Sequence, residues 1–254
     1  MQLKFLGTGT SQGVPVIGCN CEVCTSEDSR DNRMRSSVMI TTSSGKKILI
    51  DCGPDFRQQM LKFGEENVDA VLITHEHNDH VIGLDDLRPV MFRNEKPTPL
   101  YGLERVVAEI RSRFPYAFSE KRYPGAPVFE THIIENDFPL FDADVKPVKI
   151  MHGNLPILGY KFNKTAYLTD ASSIPDSETK KLTELDYLIV NCIRKTQVHP
   201  SHFILADILE LNRQLRPKQM LLTHISHQFG KYEEENRLLP ENIALAWDGQ
   251  EINI

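Results

Sequence analysis

Thr74-His75-Glu76-His77-Asn78-Asp79-His80 follows directly on the apolar run Val71-Leu72-Ile73. A run of that composition favours a β-strand, and residues just past a strand end lie on a loop, where neighbouring side chains can converge on one point. The segment holds three imidazoles and two carboxylates in seven residues. Imidazole nitrogens with carboxylate oxygens suit zinc, manganese or iron(II), and so many donors in so short a span can hold two ions. The alternative is a solvated polar loop. Against it, three of the chain's nine histidines stand here.

Further donors stand at the ends of other apolar runs. His152 follows the run from Val145 to Met151, Asp170 follows Ala166 to Thr169, and His224 follows Met220 to Thr223. If these strands share a sheet and a direction, their ends form one rim, the usual place for a site in a layered α/β protein. Alone, His152 or His224 reads as a structural histidine. Together with the cluster they complete a dinuclear set.

Cys19-Asn20-Cys21-Glu22-Val23-Cys24 presents three thiols on a short, turn-like segment. Three thiolates need a fourth ligand, for which His227, Cys52 and Cys192 are candidates. A Cys₃His zinc site is tetrahedral and closed, hence structural. Disulfides are not expected, because the chain has only five cysteines in 254 residues and no export signal.

The donor pattern resembles the metallo-β-lactamase superfamily of metal-dependent hydrolases over nearly the whole chain. That resemblance implies an α/β fold, the αββα sandwich. It also implies that His75, His77 and His152 bind one metal, that Asp79, His80 and His224 bind another, and that Asp170 bridges them. Asp51, after Lys47-Ile48-Leu49-Ile50, matches an aspartate that supports the histidine loop from behind. The cysteine segment lies after Gly7-Thr8-Gly9-Thr10-Ser11-Gln12-Gly13-Val14-Pro15, and Thr223-His224-Ile225-Ser226-His227-Gln228-Phe229 comes late in the chain. Both are similar to one bacterial branch, the phosphoribosyl 1,2-cyclic phosphate phosphodiesterases of the carbon-phosphorus lyase pathway. Within that branch the likeness implies a structural zinc on Cys19, Cys21, Cys24 and His227.

Length and composition agree with such an enzyme. A chain of 254 residues can bury a large core in one domain, so residues 1–254 are expected to form a single hydrolase domain. No apolar run approaches a membrane span and the start lacks a signal peptide's apolar region, so a cytoplasmic location is expected. The net charge of −6 offers no overall basic field for long nucleic acid. Short β-rich runs (Gln2 to Leu6, Ser37 to Thr41, Lys46 to Ile50, Ala70 to Thr74) open the chain, and a second set begins near Val145. Apolar residues at three- and four-residue spacing predict helices over Phe56 to Phe63, Leu103 to Phe114, Ser177 to Leu185 and Phe203 to Leu215.

The expected chemistry is hydrolysis of a phosphodiester. Two ions about 3.5–4 Å apart share a water, lower its pKa towards roughly 7 and steady both oxygens of an in-line displacement. Asp79 is expected to orient that water besides binding metal. His202, in Val198-His199-Pro200-Ser201-His202-Phe203, is the expected proton donor to the leaving oxygen. Ser201 reads as the N-cap of the following helix, whose free N–H groups favour a bound phosphate, and His199 reads as a surface residue. Arg194 and Lys195 are candidates for a second phosphate. The aromatics of residues 104–137 suit either stacking on a sugar or base, or packing of an insert against its own domain or a second subunit, with a homodimer compatible. The implied substrate is phosphoribosyl 1,2-cyclic phosphate or a 2′,3′-cyclic nucleotide. Competing readings are an RNase Z-like tRNA 3′-processing endonuclease, a thioester or lactone hydrolase, and a metal-binding scaffold without catalysis.

Overall fold

Ile48 and Ile50 in the strand Lys47–Ile50 face one apolar core and Leu49, between them, faces another. A strand that is apolar on both faces belongs in a sheet covered on both sides, and the structure, a computed structural model describing Met1–Ile254, places it so. Strands are numbered along the chain. The first sheet has the order β14-β1-β2-β3-β4-β5-β6. Its members are β1 (Gln2–Gly7), β2 (Ser37–Thr41), β3 (Lys47–Ile50), β4 (Ala70–Leu72), β5 (Thr98–Gly102), β6 (Phe129–Ile133) and β14 (Glu251–Asn253). The second has the order β13-β12-β11-β10-β9-β8-β7. It comprises β7 (Phe138–Leu140), β8 (Ala143–His152), β9 (Leu155–Phe162), β10 (Thr165–Leu168), β11 (Tyr187–Asn191), β12 (Gln219–Thr223) and β13 (Ile243–Leu245).

Three separate apolar clusters define four layers. Phe5, Ile48, Ile50 and Leu72 meet Val145, Tyr160, Phe162 and Tyr167 between the sheets. Leu49 and Val71 on the outer face of the first sheet pack on the helices Phe56–Phe63, Arg88–Asn94 and Glu104–Arg113. Leu188, Val190 and Leu222 on the outer face of the second pack on Leu205–Leu215 and Tyr232. The result is the expected αββα sandwich.

Strand direction then brings the donors together. β3 and β4 are parallel, β10, β11 and β12 are parallel, and β8 runs with β10 because both are antiparallel to β9. Asp51, His75, His152, Asp170 and His224 therefore all stand at or just past C-terminal strand ends. Three of these residues, Asp51 (φ 63°), Asp170 (φ 59°) and His224 (φ 53°), adopt the left-handed backbone region that non-glycine residues avoid. Such strain persists where surrounding structure over-determines it, and it collects at functional sites.

Some local expectations need correction. Ser177 to Leu185 is not one helix, but a four-residue turn of helix, Asp176–Thr179, followed by the 3₁₀ turn Lys180–Leu182. The helix expected from Phe203 starts at Leu205, and Ser201 is not its N-cap. The cap is Ile204, whose N–H donates to Asp207 Oδ2 at 2.9 Å. Most aromatics of residues 104–137 pack within the domain, with Phe114 buried, Tyr116 donating to Asp85 Oδ1 at 2.8 Å and the Phe118 ring leaning on Phe129, whereas Tyr123 is exposed. No helix is long and apolar enough to cross a membrane.

A partly buried carboxylate that sequence inspection passes over joins the chain's two ends. Asp248 accepts from the Thr8 N–H (2.9 Å), the Thr8 hydroxyl (2.7 Å) and the Met34 N–H (2.7 Å). The buried Arg33 donates to the same Thr8 hydroxyl at 2.8 Å. Burial pushes the Asp248 carboxyl up to about 6 despite these donors. Asp248→Ala would strand three donors and is expected to cost about 3 kcal/mol. Thermal melting should register a drop on the order of 10 °C, and an unchanged melting temperature would refute this role.

Candidate metal centre

The histidine loop is built from behind by Asp51. Its Oδ1 accepts the Thr74 N–H at 2.8 Å, and its Oδ2 accepts the Thr74 hydroxyl at 2.8 Å and His80 Nδ1 at 2.7 Å. The backbones close the same joint, with Cys52 N–H donating to His80 O at 2.7 Å and Gly83 N–H to Cys52 O at 2.9 Å. A side chain at Gly83 would place its Cβ 2.0 Å from Gly53 O, so only glycine permits this approach. Asp51, His75, His80 and His224 are buried, whereas His77 is exposed and His152 partly so.

Four of the five imidazoles have one nitrogen tied back and the other turned inward; the exception, His77, meets His75 Nε2 through its Nδ1 at 3.0 Å. His80 Nδ1 is held by Asp51, His75 Nδ1 lies 3.0 Å from the Thr74 hydroxyl, and His224 Nδ1 lies 3.2 Å from the Ser36 hydroxyl. His152 Nδ1 lies 2.8 Å from both Asp170 O and Ser201 O. Second contacts of this kind select the tautomer whose free nitrogen can bind an ion. The inward atoms form overlapping groups: His75, His77 and His152; His75, His80 and Asp170; His152, Asp170 and His202; and Asp79, Asp170 and His224, each within 4.8 Å. Asp170 belongs to three of these four groups.

The residues fit divalent ions. His80 Nε2 is buried with no hydrogen-bond partner, yet it lies 3.2 Å from Asp79 Oδ2 and 3.3 Å from Asp170 Oδ2. Ligand bonds of about 2.0–2.1 Å in a tetrahedron separate donor atoms by about 3.3 Å, so the spacing is that of atoms sharing an ion. Charge argues the same way. Burial pushes Asp170 up, but His224, His80 and the His202 hydrogen bond outweigh it and hold the carboxyl well below its usual range. Burial drives His75 well down and His224 down to about 4, so both are neutral donors at neutral pH. His80 is held well above its usual value because Asp79, Asp170 and Asp51 overcome its burial. Three carboxylates, Asp51, Asp79 and Asp170, thus converge with only His80 among the buried imidazoles held in its charged form, and divalent cations would balance the remaining negative charge.

The thiol cluster is assembled with equal economy. Cys19, Cys21 and Cys24 Sγ lie 3.3, 3.4 and 3.6 Å from His227 Nδ1. Zinc bonds of about 2.3 Å to sulfur and 2.0 Å to nitrogen give a tetrahedral S···N edge of about 3.5 Å. Cys52 and Cys192, the other candidate fourth ligands, are buried elsewhere. His224 and His227 stand on one loop, so the two centres share a backbone.

Two expected phosphate contacts are otherwise engaged. Arg194 donates to Gln197 O, Val198 O and Gln228 Oε1, and Lys195 pairs with Glu235. His202, by contrast, points its Nε2 at Asp170 Oδ1 from 3.0 Å.

Residues 46–225 match the family described as the Beta-lactamase superfamily domain. The chain belongs to that superfamily. Within it, a solved structure described as a new diphosphatase from the PhnP family is 41% identical, superposes with a TM-score of 0.92, and is matched over 100% of this chain and 97% of the other. The protein is therefore a PhnP-like β-lactamase superfamily member. A protein of Porphyromonas gingivalis W83 named octanoyltransferase is 44% identical over 99% of this chain. The chain spans only 51% of that relative's length. Ribonuclease Z of Archaeoglobus fulgidus is 25% identical over 100% of this chain and 98% of its own length. The chain carries the superfamily's metal-dependent hydrolase fold.

Asp170→Ala should remove a carboxylate shared by three donor groups, with loss of active-site metal on elemental analysis and of most activity. Full metal content with native turnover would refute a bridging role. Cys21→Ser should release one zinc per chain and lower the melting temperature, because ligand binding there is folding free energy. Unchanged zinc and melting would dismiss the Cys₃His site.

Proposed function

We propose that the protein is a dinuclear metal-dependent phosphodiesterase that opens a small cyclic phosphodiester, such as phosphoribosyl 1,2-cyclic phosphate or a 2′,3′-cyclic nucleotide. His75, His77 and His152 would hold one ion, Asp79, His80 and His224 the other, and Asp170 both. When bound, the ions supply charge to activate water and steady the phosphoryl oxygens. Their identity is manganese, zinc or iron in this reading, with a separate structural zinc on Cys19, Cys21, Cys24 and His227.

The observation that carries the reading is the placement of His202. Its ring stacks on His224 at 5.0 Å and 14°, with Nε2 3.0 Å from Asp170 Oδ1. An imidazole N–H at the edge of the donor set, outside the seven ligands, is a proton donor for a poor leaving group. As the water oxygen bonds to phosphorus and the ester P–O bond breaks, the His202 Nε2 proton passes to the departing alkoxide, and the surplus proton of the water is released to solvent. Asp79 accepts a hydrogen bond from the attacking water and orients it. A cyclic diester needs this help, because its leaving oxygen is an alkoxide.

The PhnP-family diphosphatase supports a second reading, hydrolysis of a phosphoanhydride, in which the leaving phosphate needs less protonation. The ribonuclease Z reading is weaker, since the chain has a net charge of −6 for a polyanionic substrate. Acyl transfer finds no free thiol nucleophile, because Cys52 and Cys192 are buried and the other three face His227.

His202→Ala should cut turnover of a 2′,3′-cyclic nucleotide by about 10²-fold or more. Bis-(4-nitrophenyl) phosphate, whose nitrophenolate leaves without a proton, should lose far less with metals retained. Equal losses on the two substrates would contradict the donor role. Faster wild-type cleavage of a diphosphate than of any cyclic diester would favour the second reading.

A further inference from the structure

His199, three residues before His202, does more than cover the surface. Its Nδ1 lies 3.0 Å from His202 Nδ1, with the rings 4.7 Å apart and nearly perpendicular at 67°. The Ser201 N–H donates to the same His199 Nδ1 at 3.3 Å. A nitrogen that accepts from a backbone N–H carries its lone pair there, so between the two Nδ1 atoms His202 is the donor. The His202 ring is thereby held at both ends, by His199 at 3.0 Å and the Ser201 hydroxyl at 3.2 Å from Nδ1, and by Asp170 at Nε2. A flip of the ring would exchange Nδ1 with Cδ2 and Nε2 with Cε1, losing the contacts at both ends.

The turn carrying His199 is itself fastened. Arg194 donates from Nε to Gln197 O at 2.8 Å and from Nη2 to Val198 O at 3.2 Å, and its Nη1 reaches Gln228 Oε1 at 3.1 Å. Gln228 follows His227, so the guanidinium staples this turn to the loop shared by the two candidate metal centres. Pro200 fixes the backbone between the two histidines. These contacts explain why a chain segment without regular structure can hold an imidazole in one orientation.

We infer that His199 is a positioning residue for the hydrolysis: it accepts the His202 Nδ1 hydrogen and keeps Nε2 directed at the leaving oxygen. The inference rests on the proton-donor reading of His202. A positioning role predicts a loss that depends on the leaving group, follows kcat and not KM, and disappears once His202 is gone.

The test compares His199→Ala, His199→Asn, His202→Ala and the double alanine variant on a 2′,3′-cyclic nucleotide and on bis-(4-nitrophenyl) phosphate, with metal content and melting measured on each. His199→Ala should lower kcat on the cyclic nucleotide about tenfold, with KM within about twofold and little change on the nitrophenyl ester. His199→Asn should recover most of the loss, because the amide Oδ1 takes the place of Nδ1 as acceptor. The double variant should be no slower than His202→Ala. Equal losses on both substrates, additive losses in the double variant, no rescue by asparagine, or wild-type rates in His199→Ala would each overturn the inference. If His202→Ala shows no leaving-group dependence, the donor reading fails and the positioning role fails with it. If His202→Ala shows it and His199→Ala does not, the positioning role alone fails.

Discussion

One buried carboxylate, Asp51, carries more of this architecture than any metal ligand. It stands at the end of a central strand with a left-handed backbone, and it accepts the Thr74 N–H, the Thr74 hydroxyl and the His80 imidazole. Through Thr74 it sets where the neighbouring strand ends and the histidine loop begins. Through His80 it leaves Nε2 as the free nitrogen. A buried carboxylate without these donors would be untenable, and the loop without the carboxylate would have no fixed shape. The candidate centre depends on this joint in the way a metal site depends on its outer contacts.

The same economy recurs around the rim. Ser36 holds His224, backbone carbonyls of Asp170 and Ser201 hold His152, and His199 holds His202. All but the His199–His202 contact join strand-end loops separated in sequence, so the parallel strand directions are as much a part of the site as the donors. The proposed chemistry asks for rigid placement of water, phosphorus and leaving oxygen, and loops pinned this way would supply it.

The donors were legible in the sequence for a physical reason, whereas the layer order came from the family resemblance, because periodicity alone does not separate the αββα sandwich from other α/β layers. Metal ligation accepts few residue types, and apolar runs ending in those types mark strand ends that share a rim. The holding contacts were not legible. Ser36 and His224 are 188 positions apart, and Asp248 reaches Thr8 across 240, so nothing local announces either pair. Ser201 misleads because N-cap preference is a local statistic, while the segment before Leu205 is shaped by hanging two histidines over the site. Arg194 and Lys195 resemble phosphate ligands by charge alone, and only the fold reveals the carbonyls and carboxylate that engage them.

The central claim is that water, activated within the Asp79, Asp170 and His224 donor set, attacks phosphorus in a ring-opening hydrolysis. Turnover of a 2′,3′-cyclic nucleotide in ¹⁸O-labelled water by the metal-loaded protein tests it most directly. Mass spectrometry of the monophosphate product from a single turnover should find one ¹⁸O, located on phosphorus, with none on the ribose hydroxyls. Label on the ribose, or no ring opening with metals bound, would contradict the account.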